Sequence, residues 1–552
     1  MTNSDLADIL KLYADLSELH NGNPFKIKSF AAASFRIDKM PEPLFGKSLQ
    51  ELEAMEGVGK SIAQKIHEIC STNSFNELTE LIEATPEGVR DIMRIKGIGP
   101  KKVAIIWKEI GVESIGELLY ACKENRLAQF KGFGLKTQEA IIKQIEFIFV
   151  SANKFHYAKA YPIALKLLSI LEEFETIEKV ELSGEIRRKL EILTEIELLV
   201  STDDEASFRE EWLHFFGEDE NEEQIKFEGY PIQLTIAHPG EFVMKQFERG
   251  SSIEHFNAIM ARFEPKSLDF KSETEIYEAI RLPFIISEYR ENRGEIEKAI
   301  ANKLPKFIEY SDLKGPLHNH STWSDGLHTI ETMANYCIDK GYEYLGMADH
   351  SKSAFYASGL SEEKVILQQA EIAKLNQKYA GKFKIFAGIE CDILYDGQMD
   401  YSNEILKTFD YVVASVHSVL KMTEEKAMSR LIRAIENPYT TILGHPTGRL
   451  LLMREGYPID HKKIIDACAA NHVIMELNAN PYRLDMDWRY IDYALNKGVM
   501  ISINPDAHEV EGFNDMFFGV AVARKGGLNK EMCFNAQDVI YLSNYFLKKR
   551  GV

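Results

Sequence analysis

The sequence predicts a multidomain chain of α and α/β class: a helical N-terminal region, a mixed α+β segment, and a C-terminal parallel β/α barrel. Three observations carry that expectation. At 552 residues the chain is too long for one core. Over residues 1–150 apolar residues recur at three- and four-residue spacing, in a pattern that appears three times. From Leu317 onward, short apolar strands alternate with helical segments, and most of these strands end in a histidine or a carboxylate.

Hydrophobic residues make up 45% of the chain, so all of it can fold, and no stretch is of low complexity. No apolar run is long enough to span a bilayer, and the opening MTNSDLADILKLYADL is acidic where a signal peptide would be basic. Six scattered cysteines without a CxxC pair suit reduced thiols. The expected location is therefore the cytoplasm, away from membranes. A net charge of −20 argues against broad, nonspecific binding to a polyanion. Residues 1–150 are nearly balanced, however, with 19 basic against 21 acidic side chains, so nucleic-acid contact there would rest on local basic spots.

In residues 1–150 the repeats read LEAMEGVGKSIAQKI, IMRIKGIGPKKVAII and LAQFKGFGLKTQEAI. Each joins two helices through Gly-x-Gly (Gly57/Gly59, Gly97/Gly99, Gly132/Gly134) with a lysine just beyond: Lys60, Lys101 and Lys136. Such turns turn backbone N–H groups outward beside a helix N-terminus, a cradle for phosphate that reads no bases. Plain helix–turn–helix joints are the alternative. Residues 151–308 then mix strand-like runs (VELSGEIRR, EIELLVS, PIQLTIAH) with a helical stretch, SETEIYEAIRLPFIISEYRENRGEIEKAI.

The last region, 309–552, carries nine metal-binding side chains: His318, His320 and Asp325 in LHNHSTWSDG, His350 in MADHS, Glu390 in GIECD, His417 in ASVHS, His445 in GHPTGR, and Asp506 with His508 in NPDAH. HxH on one strand turns both rings to the same side. Imidazoles and carboxylates converging from strand ends suit a cluster of Zn²⁺, Mn²⁺ or Fe ions. Such a cluster generates hydroxide at neutral pH and stabilises charge on a phosphoryl group, so phosphate-ester hydrolysis is the expected chemistry.

Those metal runs resemble the PHP (polymerase and histidinol phosphatase) domain. With the upstream repeats and the joining segment, the whole chain resembles the bacterial family X DNA polymerases that carry a C-terminal PHP domain. The resemblance implies three helix–hairpin–helix elements, a nucleotidyltransferase-like palm and thumb, and a distorted (β/α)7 barrel. It implies a trinuclear Mn²⁺ or Zn²⁺ centre, with Fe a further option, and a 3′→5′ exonuclease acting on gapped, nicked or abasic DNA, with no obligate protein partner. It allots His318, His320, Glu390 and Asp506 to one ion. Glu390 bridges to a second, held by His417 and His445, and Asp325, His350 and His508 hold the third. Arg449 is expected either to grip the substrate phosphate or to form a salt bridge. Lys26 and Lys28 match phosphate contacts of the family's small N-terminal domain. Lys65 falls where some members place a Schiff-base lysine, though a solvated lysine is the plainer reading. Pro316 stands where the family usually has Asp.

The polymerase motif departs further. In SGEIRRKLEILTEIELLV, Gly184, Arg187 and Arg188 remain, but Glu185 replaces a phosphate-binding serine, and Glu195 and Glu197 replace two aspartates. Gln233 replaces the third, and an amide is a poor ligand for the Mg²⁺ this site requires. Only Gly250 and Ser251 survive of a further motif, in FERGSS. The expectation is a DNA-repair protein acting mainly as a metal-dependent 3′→5′ exonuclease, with polymerase activity weak or lost. The alternatives are an active gap-filling polymerase with PHP proofreading, an abasic-site endonuclease, a small-molecule phosphatase, and a non-catalytic DNA-end scaffold.

Overall fold

The computed structural model describes residues 1–551 except 56–57, 124–126, 128–129, 131, 152–153, 218–224, 264–269 and 453–454. The chain divides into two compact units, 1–152 and 153–552.

The first unit is helical. Helix Asn3–Leu19 opens on a capping box in which Thr2 and Asp5 satisfy each other's backbone N–H groups. Helix Pro24–Asp38 starts with Asn23 as cap and proline at its first turn. Their apolar faces (Leu6, Leu10, Tyr13, Phe30, Ile37) share one core with Ile66, Phe75, Val103 and Ile106. The later repeats resolve as turns leading into helices. Gly59 caps Lys60–Thr72, Gly99 caps Pro100–Lys108, and Gly134 directly precedes Leu135–Ser151. Gly97 and Gly132 sit at φ +88° and +95°, conformations that disfavour any side chain. Gly57 lies outside the described residues.

The second unit begins with a four-stranded sheet: β1 (Lys179–Leu182), β2 (Ile196–Ser201), β3 (Lys226–Phe227) and β4 (Tyr230–Ala237), in the order β1-β2-β4-β3. Every residue of β2 is buried, as its central place requires. It runs parallel to β4 with Glu197 beside Gln233. After the sheet, Arg290 lies wholly inside a small core, donating to Ile285 O and Glu273 and facing the rings of Phe247 and Tyr277. His255 is buried there between Glu295 (2.5 Å) and the Tyr277 hydroxyl (2.8 Å).

The barrel strands are β5 (Tyr344–Met347), β6 (Lys384–Asp392), β7 (Tyr411–Ser415), β8 (Ile442–Leu443), β9 (Ile474–Asn478) and β10 (Ile501–Asn504). All pair in parallel and in sequence order. Both faces are covered, which is why they read as near-continuous apolar runs. Segment 316–320 closes the ring: Gly346 and Ala348 donate to Pro316 O and Asn319 O beside β5, and His320 N–H donates to Ala507 O just past β10. Tyr411 fills the interior, its hydroxyl 2.7 Å from Leu317 O and 2.9 Å from Met347 O. Gly346 and Gly388 leave that space; a Cβ at either would lie 2.4 Å from a Tyr411 atom.

The sheet segment and the barrel fall within the same compact unit, 153–552. The fully buried Lys525 donates to Arg188 O (3.0 Å), Glu288 O (3.3 Å) and Glu291, while Glu191 accepts from Trp488 Nε1 (3.0 Å) and Arg489 (3.3 Å). No helix among the described residues is long and apolar enough to cross a membrane.

Candidate metal centre

The structure brings all nine ligand-type residues to the carboxyl ends of the barrel strands. His318 and His320 alternate with Leu317, buried in the barrel interior, and Asn319, which donates to Gly346 O. Asp325 returns over His320 because Gly326 packs on that residue's backbone: a Cβ there would lie 2.2 Å from His320 O. Glu390, on β6, is the hub. Its carboxylate lies 3.2 Å from His318 Nε2, 2.9 Å from His350 Nδ1, 3.1 Å from His417 Nε2 and 3.0 Å from His445 Nε2. Asp506 lies 2.9 Å from His320 Nε2, and His508 Nε2 is 3.5 Å from Asp325.

Three sets of side chains converge closely enough to hold an ion: His320, Asp325, His350 and His508; His318, His320 and Asp506; and His350, Glu390 and His417. The family allotment differs from these sets: Glu390 is not in the His318 set, His350 takes the place of His445 beside Glu390 and His417, and His320 and His350 each fall in two sets. His320 stands between two of them, with Nε2 toward Asp506 and Nδ1 toward Asp325, and its ring stacks on His508 at 4.2 Å. Several buried donor atoms (His318 Nε2, His320 Nδ1 and Glu390 Oε2) have no hydrogen-bond geometry with their neighbours, as atoms aimed at a cation would. The charge pattern agrees. Burial alone would raise the Glu390 carboxyl, but His417, His318 and His350 outweigh it and hold it well below the usual range. Burial and then the facing His508 and His350 push His320 down to about 3, leaving it a neutral imidazole fit to ligate. Burial opposes charge on His417, yet Glu390 and Asp392 lift it to about 10. Carboxylates and imidazoles packed this closely offer a divalent cation a ready set of oxygen and nitrogen donors.

Three carboxylates behind the ligands escaped the sequence reading. Glu476 is fully buried 2.7 Å from His318 Nδ1, and it accepts from His445 N–H (2.7 Å) and Asn504 (3.0 Å). Asp392 lies 2.5 Å from His417 Nδ1. Asp349 accepts from Ser321, Ser324 and Gln368. Glu476 and Asp392, placed this way, fix which ring nitrogen of His318 and His417 faces the centre. Asp392 and Asp349 stand out in the sequence only as neighbours of Glu390 and His350, and Glu476 carries no local signal.

The Arg449 guanidinium is spent on the protein: it donates to Arg483 O (3.0 Å), Leu484 O and Asp487 (3.0 Å). The salt-bridge reading of Arg449 is the one the geometry favours. Arg483, which the sequence reading missed, instead directs Nε to 3.8 Å from Asp506.

Around the polymerase motif, the Glu197 carboxylate lies against Gly184 and accepts from Glu185 N–H at 2.8 Å. Arg249 approaches Glu197 at 3.8 Å and donates to Thr235, two residues beyond Gln233. Burial and Glu197 together raise the neighbouring Glu195 carboxyl. Arg188 donates to both oxygens of Glu291 (3.2 Å), and Arg187 grips Glu273 with two bonds at 2.9 and 2.7 Å.

In the first unit, Lys26 and Lys65 meet at Glu77 (3.8 and 2.5 Å), and Lys65 also pairs with Glu68 (3.0 Å). Burial pulls the Lys65 ammonium down, but Glu77 and Glu68 raise it overall, whereas a Schiff-base lysine must shed its proton. In this geometry Lys65 is an ion-paired lysine. Lys28, Lys60, Lys101 and Lys136 are exposed. Open space lies where a Cβ would stand on Gly59, Gly97, Gly99, Gly132 and Gly134.

Comparison with known proteins agrees with this architecture. Residues 1–75 match the helix-hairpin-helix domain family, residues 89–146 the SAM-like helix-hairpin-helix tandem, and residues 316–480 the PHP domain. The chain is 26% identical to a "Probable phosphatase" of Thermoanaerobacter sp. over 42% of its own length and 94% of that protein. A "Probable phosphatase" of Clostridium novyi is 25% identical, over 43% and 94%. The "DNA polymerase/3'-5' exonuclease PolX" of Bacillus subtilis is 33% identical over 98% of both chains. A likeness of that extent, with hairpin repeats at one end and a PHP barrel at the other, establishes that the chain belongs to the PolX family, the bacterial family X DNA polymerases with a C-terminal PHP domain.

Proposed function

We propose that this chain is a DNA-repair nuclease that hydrolyses DNA from its 3′ end at the barrel centre, with DNA synthesis weak or lost. The observation that carries the reading is the contrast between two sites. Nine ligand-type residues, Glu390 among them, cluster in the barrel, while the sheet presents Glu195, Glu197 and Gln233, with Arg249 3.8 Å from Glu197. An amide and a guanidinium at the sheet site disfavour the pair of Mg²⁺ ions that nucleotidyl transfer needs. Arg187 and Arg188 are committed to Glu273 and Glu291, so their charge is already met within the fold.

In the barrel, His318, His320, Asp325, His350, Glu390, His417, His445, Asp506 and His508 would hold up to three divalent ions, Mn²⁺ or Zn²⁺ by donor type. When bound, such ions activate water and neutralise phosphoryl charge. The chain's own contribution is orientation. Glu476 and Asp392 turn His318 and His417 so that Nε2 faces the site, and Arg483 offers a cation beside Asp506 for a substrate phosphate. The open backbone turns at Gly59, Gly97, Gly99 and Gly134, with Lys60, Lys101, Lys136 and Lys28, would bind the DNA backbone without reading sequence. The match to probable phosphatases keeps a small phosphate monoester as a second reading, which the hairpin repeats disfavour. Free, reduced cysteines suit a cytoplasmic protein.

The polarity test uses one oligonucleotide labelled at either end. With Mn²⁺, the 5′-labelled strand is expected to give a descending ladder, and the 3′-labelled strand a single released nucleotide. Chelator should stop both. A ladder from the 3′-labelled strand, or hydrolysis of phosphate monoesters without any DNA cleavage, would refute the assignment.

A further inference from the structure

The loop after His350 carries an unusual side chain. Phe355 is 87% exposed, the most exposed large apolar residue among the described ones, and it stands on a hydrogen-bonded loop. The loop is closed at its base, where Ser351 N–H donates to Glu390 O (2.9 Å) and Leu360 N–H donates to His350 O (2.8 Å). Gly359 pinches it, since a Cβ there would lie 1.9 Å from Ser351 O. Ala354 and Ala357, on either side of Phe355, are buried, so the ring between them is turned outward by design of the backbone. Ser353 ties the loop into the metal centre itself. Its hydroxyl donates to Asp392 Oδ2 (2.7 Å), whose other oxygen lies 2.5 Å from His417 Nδ1. Its N–H donates to Asp400 (2.7 Å).

A phenyl group left in water forgoes burial free energy, and a lone exposed apolar residue ordinarily needs no explanation. This one stands on a hydrogen-bonded loop, two residues from Ser353, whose hydroxyl bonds the carboxylate behind His417. On the loop after His417, Lys421 is exposed and Val419 presents a further apolar surface. Aromatic rings in such positions stack on nucleic-acid bases without regard to identity.

We propose that Phe355 is the stacking platform for the unpaired base of the 3′-terminal nucleotide, holding it while the adjoining phosphodiester lies at the metal centre. This rests on the nuclease reading above. It makes Phe355 a specificity-determining residue, one that distinguishes a strand ending in a base from one ending in a bare sugar.

The test compares wild-type protein with Phe355→Ala, Phe355→Trp and Ile540→Ala, the last an exposed residue on the C-terminal helix. Two 5′-labelled single strands serve as substrates, identical except that one ends in a tetrahydrofuran abasic residue. Phe355→Ala should lose roughly 5- to 150-fold in kcat/KM on the base-bearing end, the range one base–aromatic stack supports. It should match wild type on the abasic end, Phe355→Trp should retain activity on both, and Ile540→Ala should behave as wild type. Equal rates for Phe355→Ala and wild type on the base-bearing strand would overturn the inference while leaving the nuclease reading intact. So would equal losses on both strands. A wild-type protein that shortens neither strand would overturn the nuclease reading, and this inference with it.

Discussion

Glu476 is the sharpest place to perturb the centre without touching a ligand. Its two oxygens serve different partners: Oε1 faces His318 Nδ1 and the Asn504 amide, and Oε2 accepts from the His445 backbone N–H. In Glu476→Gln the volume stays, but the new NH2 must confront one of these donors. The smaller loss turns it toward His445 N–H, leaving that buried donor unpaired at a cost of about 1–3 kcal/mol. The negative charge that makes His318 a stronger ligand also goes. Losses of this kind lower metal affinity by roughly 10- to 100-fold. The assay is competition of the purified protein with a chromophoric chelator for Mn²⁺ and Zn²⁺, read beside the metal-dependent rise in melting temperature. Glu476→Gln should bind at least one ion that much more weakly and remain folded without metal. Wild-type affinity in Glu476→Gln would refute the claim that this carboxylate orients His318.

The two arginines near the centre should separate cleanly. Arg449→Ala should cost about 2 kcal/mol of stability, measured by urea unfolding, because two backbone carbonyls and Asp487 lose their donor. Arg483→Ala should leave stability nearly unchanged and lower kcat/KM on DNA. Glu288 tests the joint between sheet and barrel. Burial opposes its charge, yet Lys189, its own backbone N–H and Arg524 hold its carboxyl down to about 2. A carboxyl depressed in the fold stabilises above its unfolded value of 4.5 and loses that contribution as pH falls toward 2. Glu288→Gln should therefore cost about 3 kcal/mol near neutrality, with the deficit shrinking below pH 4.5 in urea titrations. Lys65 should give no borohydride-trapped adduct with a 5′ abasic sugar; a trapped band lost in Lys65→Ala would reverse the ion-pair reading.

The ligands were legible because each stands in a short motif at a strand end, and a strand's two-residue period puts His318 and His320 on one side by local geometry alone. Their supporting carboxylates were not. Glu476 meets His318 across 158 residues of chain, and in VIMELN it looks like any polar interruption of a strand. Asp349 was visible only as the neighbour of His350. The erosion of the polymerase motif could be read from residue types, whereas Arg249 beside Glu197 could not, because it depends on how a helix packs against β2 and β4. Arg449 stayed open between two roles for the same reason: adjacency to His445 in sequence said nothing about the carbonyls of 483 and 484 that claim its guanidinium. The joint of sheet and barrel into one unit was also hidden, since Lys525 looks like a helix-end lysine until the structure buries it against Glu288 and Glu291.

The central claim is that the barrel is this chain's working catalytic site and the sheet is not. Gapped duplex DNA with a 5′-labelled primer, incubated with Mn²⁺ in the presence and absence of dNTPs, tests both halves at once. Wild-type protein should shorten the primer in single-nucleotide steps under both conditions and yield no band longer than the primer, and His320→Ala should leave the primer intact. Extension across the gap, or shortening that persists in His320→Ala, would contradict the account.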